Sequence, residues 1–396
     1  MAARPQTRAE DRSSDQARTL EQLLATREIV LSCGSGGVGK TTTAAAAGIM
    51  AATHLGGKVL VLTVDPARRL ANALGLERFG NTEIQVPQEA FEAAGVEPRG
   101  ELWAAMLDTK QSWDDLIHRH APDAETRDQI LANSLYKNIS GKFVQSHDYI
   151  AMERLYEIHS SGEYDLIIVD TPPTRHAVDF LDAPERMADF FSSKLLRWLT
   201  APAKSRVVSM ASKPFYTVAD RVLGSQFLED IAEFFTLFQT MAPGFVERAE
   251  AVKKTLADKR TTFLVVSTLE SAPLHEAERF IEVLDERRYN LGALVLNKVL
   301  PAYLRRTATT GVAKRLCADP EAAADAVSDV ADREDLARVL HTVGESFLNY
   351  QVVAKREAEQ RAGLSRSPEV VAAVPYFDAD IFDISGLLAL GEQIWR

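Results

Sequence analysis

The 396-residue chain predicts an α/β fold, a mostly parallel sheet covered by helices on both faces, with an inserted helical subdomain. Two observations carry this expectation. Short strand-like runs recur at 28–33, 58–64, 101–107, 165–169, 262–267, 291–296 and 369–374, with helical patterns between them. The chemical motifs all fall at the carboxyl ends of these runs, where ligands of parallel sheets bind.

The first run, Glu28-Ile29-Val30-Leu31-Ser32-Cys33, reads as a buried strand. It leads into Gly34-Ser35-Gly36-Gly37-Val38-Gly39-Lys40-Thr41, which matches the phosphate-loop pattern G-x-x-x-x-G-K-[ST]. Glycines let backbone N–H groups turn inward around a phosphate with no Cβ in the way. Lys40 can reach the β/γ-phosphates and the Thr41 hydroxyl can ligate Mg²⁺. The Thr/Ala-rich stretch 41–52 reads as a helix, whose N-terminus favours anions. A chance glycine cluster would not arrive with strand, loop, Lys-Thr and helix in this order.

The second run ends in Asp65-Pro66-Ala67. Asp65 can orient and polarise an attacking water, a role that needs position more than basicity. Alone it would read as a helix N-cap; beside a phosphate loop the catalytic reading gains. Residues 108–160, after the third run, are helical by pattern. The fourth run ends in Asp170-Thr171-Pro172-Pro173-Thr174, the Walker B form, in which Asp170 holds Mg²⁺ directly or through water. Its plainer reading is a capped strand end. Residues 171–176 would form a switch loop that a γ-phosphate orders.

Residues 178–260 break the alternation and read as the helical subdomain. They carry Met187, Phe190, Phe191, Leu195, Leu196, Trp198, Leu199, Met210, Phe215, Phe227, Phe234, Phe235, Leu237, Phe238 and Met241. These residues fit either core packing or an adaptable groove for an apolar client helix. The last runs end in Ser267-Thr268-Leu269-Glu270, Leu296-Asn297 and Val374-Pro375-Tyr376-Phe377.

The loop, Asp65-Pro66-Ala67 and Asp170-Thr171-Pro172-Pro173-Thr174 together resemble the ArsA-type ATPases. That family includes the arsenical pump ATPase and the ATPase that targets tail-anchored membrane proteins. It belongs to the deviant Walker A class of P-loop NTPases shared with MinD and ParA, and the similarity runs from about residue 28 to the C-terminus. The resemblance implies a cytoplasmic dimer that ATP binding closes and hydrolysis opens. It implies ATP contacts from Gly36, Gly37, Val38, Gly39, Lys40, Thr41 and Thr42. It assigns Asp65 to the attacking water, with Lys40 as its catalytic partner, and Thr41 and Asp170 to Mg²⁺. Asn297 matches the adenine-reading asparagine, Glu270 a nucleotide-contact glutamate, and Pro375 and Phe377 the loop that packs on the base. Ordinary loop capping is the plainer reading of Asn297 and Glu270.

Three departures narrow the resemblance. No Cys-x-x-Cys pair occurs around 307–310, which excludes a zinc site shared by four cysteines. Cys33 and Cys317 are the only cysteines, too few for soft-ligand capture of arsenite. Ser35 replaces the lysine that the family places second in the loop and that acts across the dimer. A homodimer would lack that charge at both sites, so the sequence predicts pairing with a lysine-retaining paralogue, as in an actinobacterial subset that the chain resembles. A weakly active ATP-binding regulatory subunit is the competing class. A MinD/ParA-like positioning ATPase is disfavoured by the long helical insertion.

Composition agrees. A net charge of −11 argues against a nucleic-acid binder, and the two cysteines fit a reducing cytoplasm. No apolar run is long enough to span a bilayer. Residues 1–17 read as a disordered tail and 18–396 as a single domain.

Overall fold

Seven of the expected runs become strands, and an eighth joins them. The computed structural model describes residues 19–64, 69–76, 80–139, 146–172, 177–193, 225–326, 332–364, 368 and 370–395. The strands are β1 (Ile29–Cys33), β2 (Lys58–Thr63), β3 (Ile84–Gln85), β4 (Glu101–Met106), β5 (Leu166–Asp170), β6 (Thr261–Ser267), β7 (Leu291–Val299) and β8 (Val370–Pro375). They form one sheet in the order β3-β4-β2-β5-β1-β6-β7-β8. Every pairing is parallel except β3 with β4. The two-residue β3 is the strand missing from the sequence expectation; it exists only through its pairing with β4.

The described helices are α1 (Leu20–Leu24), α2 (Lys40–His54), α3 (Arg69–Ala73), α4 (Gln88–Ala93), α5 (Thr109–His120), α6 (Ala124–Ala132), α7 (Ser134–Ile139) and α8 (Ser146–Ser161). They continue with α9 (Ala177–Ser192), α10 (Ser225–Gln239), α11 (Ala242–Ala257), α12 (Ser271–Glu286), α13 (Thr307–Ala318), α14 (Pro320–Asp325), α15 (Arg333–Ala362) and α16 (Ile384–Trp395).

Alternating strand residues feed two cores, as the pleat requires. Ile29, Leu31 and Cys33 enter one core with the helices from α5 to α12, whereas Val30 enters the other with α1, α2 and α16. The small residues of α2 bring it close to the sheet. A Cβ at Gly48 would lie 2.4 Å from Val61 Cγ2, so only glycine fits.

The helical layer is joined by aromatic contact. Phe191 and Phe245 stack at 4.7 Å, Phe234 and Phe238 at 5.1 Å, and Trp113 lies 6.0 Å from Phe238. Phe191, Phe234, Phe238 and Met241 are buried, with Met187, Phe190, Phe235 and Leu237 packed against them. For these residues core packing is the outcome. Leu195, Leu196, Trp198, Leu199, Met210, Phe215 and the Phe227 side chain lie outside the described residues. A buried ion pair ties α11 to α8: Arg248 Nε donates to both Glu153 oxygens, at 2.9 and 3.1 Å.

Candidate active site

The phosphate loop joins β1 to α2, and the strand order brings it partners from far along the chain. Because β5 lies between β1 and β2, Ser32, Asp170 and Thr63 stand in one row across three strands. Asp170 is 1% exposed. Its Oδ2 accepts from the Thr41 hydroxyl at 2.6 Å and from the Thr63 hydroxyl at 3.0 Å. Buried carboxylates need such donors. The Thr41 hydroxyl and the Asp170 carboxylate thus sit side by side at the N-terminus of α2. This hard oxygen pair fits Mg²⁺, which takes one or two carboxylates and draws its other ligands from phosphate and water.

Lys40 is 8% exposed, and its Nζ donates to the Ser35 carbonyl at 3.0 Å. A phosphate oxygen would be a stronger acceptor for this ammonium. Gly37 and Gly39 have φ of +80° and +98°, the left-handed region that favours glycine. A Cβ on Gly39 would also lie 2.3 Å from Asn297 Nδ2.

From β7, Asn297 Nδ2 donates to the Val38 carbonyl at 2.7 Å, and Lys298 Nζ donates to the Gly37 carbonyl at 3.1 Å. Asn297 Oδ1 accepts from the Lys298 amide at 2.9 Å. The asparagine therefore buttresses the loop in this structure.

A cleft of about 670 Å³ opens over the loop. It collects Gly36, Gly37, Gly39, Lys40, Thr41, Thr42, Asn297, Pro375 and Phe377 from the expected set. Lys298, Tyr376, Asp380, Ile381 and Leu390 also line it. The Val38 side chain is buried in the core, and its carbonyl accepts from Asn297. Glu270 is not brought to the cleft; it is the exposed residue preceding α12. Asp65 and residues 173–176 of the expected switch loop lie outside the described residues. Thr171, at the start of that loop, donates to the Ser32 carbonyl at 2.8 Å.

Ser35 is buried, and its hydroxyl donates to Glu276 Oε2 on α12 at 2.5 Å. Cys33 is buried beneath the loop, and burial pushes its thiol up to about 12. It is therefore a neutral thiol at physiological pH.

The family model for anion-transporting ATPases, the ArsA ATPases, matches residues 27–316, a span that contains the loop, Asp170 and Asn297. The chain belongs to this family. It is similar to a putative arsenical pump-driving ATPase 2 of Aquifex aeolicus, 24% identical over 68% of this chain and 79% of the relative. It is also similar to the ATPase get3 of Pyrenophora tritici-repentis, 24% identical over 72% and 78% of the two chains. The ATPase GET3 of Komagataella phaffii is 27% identical over 67% and 71%.

In this ArsA-family ATPase, sequence reasoning missed Thr63, Glu276 and Lys298. Thr63 carried a weak signal, a hydroxyl residue at the strand end just before Val64-Asp65. Glu276 carried none, since it meets Ser35 across 241 residues. Lys298 follows the asparagine directly, but strand alternation would have aimed it away from the loop. Among the described residues, no helix is long and apolar enough to cross a membrane.

Proposed function

We propose that this ArsA-family ATPase hydrolyses Mg²⁺-bound ATP in the cleft over the phosphate loop and works as a dimer. Closing and opening of that dimer handle an apolar protein or membrane-associated client. The contact of Thr41, Asp170 and Thr63 beside Lys40 carries the hydrolytic part of this reading. Thr41 and Asp170 hold Mg²⁺, which when bound offsets phosphate charge. Backbone N–H groups from Gly36 to Thr42 cradle the phosphates, and Lys40 leaves the Ser35 carbonyl for a β/γ-oxygen. Asp65 positions the attacking water. Asn297, Pro375 and Phe377 serve the base. An arsenite cargo is disfavoured, because the neutral, buried Cys33 supplies no thiolate.

The dimer partner in this reading is a paralogue that retains its loop lysine. What supports it is Ser35, a neutral donor already bonded to Glu276 within the chain. The chain receives a lysine at its own phosphates and gives none. Arginine fingers contribute about 10³–10⁵ in rate, which sets the scale for such a charge. The test measures ATP hydrolysis by the chain alone, by Ser35→Lys, by Ser35→Lys with Glu276→Gln, and by the chain mixed with its paralogue. A slow chain accelerated by the paralogue is expected. Because Glu276 would capture a new lysine in an ion pair, the double variant should recover more rate than Ser35→Lys alone. Full activity of the chain alone, unchanged by Ser35→Lys, overturns the pairing. Nucleotide binding without hydrolysis in every mixture supports the regulatory-subunit reading instead.

A further inference from the structure

Lys298 is bound into the nucleotide cleft by three features of its own. Its backbone is left-handed, with φ of +59° in a non-glycine residue. Arg288, the other such residue among those described, follows the end of α12, where a left-handed residue is ordinary. Lys298 instead lies inside β7, where the register with β8 shifts between Leu296 and Val299. Bulges of this kind re-aim side chains beside active sites. In a regular strand Asn297 and Lys298 would point to opposite faces. Here both donate to adjacent carbonyls of the phosphate loop, Val38 and Gly37.

The cleft is lined by two chemically distinct sets of residues. Gly36, Lys40 and Thr41 are polar and anion-seeking, whereas Tyr376, Phe377 and Ile381 are largely apolar. Lys298 lines the same cleft as both sets, with its ammonium on the Gly37 carbonyl and its side chain exposed. A lysine stem held at both ends offers apolar surface without carrying its charge there.

We propose that Lys298 walls the base slot of the nucleotide site, its methylene stem packing against the purine. The ammonium acts as an anchor to the loop and not as a phosphate ligand. The inference rests on the reading of the cleft as the nucleotide site, and the experiment separates the two.

Calorimetric titrations compare Mg²⁺-ATP with Mg²⁺-tripolyphosphate, which carries the phosphates and no base. Lys298→Ala should weaken ATP binding about tenfold and leave tripolyphosphate unchanged. Lys298→Gly suits the left-handed backbone, so it should fold without strain and give the same ATP-selective loss. Equal losses on both ligands would make Lys298 a phosphate ligand and overturn the proposal. No loss on either, while Lys40→Ala weakens both, would overturn it and leave the nucleotide site standing. If Lys40→Ala weakens neither, the reading of the cleft itself fails, and the base slot with it.

Discussion

The loop edge of the sheet and the aromatic layer on its face are held by different forces. At the edge, polar side chains meet a carboxylate or backbone carbonyls at fixed distances: Thr41 and Thr63 on the Asp170 carboxylate, Lys40 on the Ser35 carbonyl, Asn297 on the Val38 carbonyl. In the layer, Trp113, Phe191, Phe234, Phe238 and Phe245 supply area and almost no direction. The edge can therefore lose function through a change of one atom. The layer can lose stability without the site changing its chemistry.

The largest effect should come from the layer. Phe245 is fully buried and stacks on Phe191. Phe245→Ala should cost about 3–5 kcal/mol in urea unfolding. Nucleotide affinity of the protein that remains folded should stay at the wild-type value; a parallel loss of affinity would break the contrast. Lys40→Ala should show the reverse, with hydrolysis falling about 10²–10³-fold and the thermal midpoint barely moving. A midpoint shift as large as that of Phe245→Ala would show that the edge is structural as well.

Thr63→Val is smaller and sharper. It removes one donor from a buried carboxylate and should cost about 1–3 kcal/mol. It should also weaken the Mg²⁺ dependence of hydrolysis several-fold, because Asp170 is then held by one fewer hydroxyl.

The smallest effect lies at the opposite end of the strands. There the Arg260 guanidinium, beside Asp258, holds that carboxyl down at about 2, against an ordinary 3.8. A depressed folded pKa contributes stability above the unfolded value that is lost as pH falls through the folded one. Arg260→Ala should therefore make urea midpoints fall less steeply between about pH 4 and pH 2. An unchanged acid limb would remove Asp258 from the account.

The two regions were also unequally legible in the sequence. Seven strands could be read because each is a short, largely apolar run between turn residues, and the phosphate loop because its glycines are local. β3 could not, since two residues have no periodicity. Strand order was equally hidden: nothing within 166–170 says that β5 inserts between β1 and β2, yet that insertion sets Asp170 beside Thr41 and Thr63. Lys298 was hidden by a bulge that depends on β8 rather than on its own neighbours. In the helical stretch the apolar residues were plain, but whether they face inward depends on which helices meet. For Phe191, Phe234 and Phe238 they meet α11 and one another.

The long chain separations within the site fix when it comes into being. Asp170 follows Thr41 by 129 residues, and Asn297 follows Val38 by 259. At ribosomal rates of roughly 5–20 residues per second, the loop waits on the order of tens of seconds for its last buttress. During that interval it has emerged without β7, and for the first part without Asp170. The buttressed form of the loop therefore arises late in the birth of the chain, and its presence in a nascent protein would mark a sheet already complete through β7.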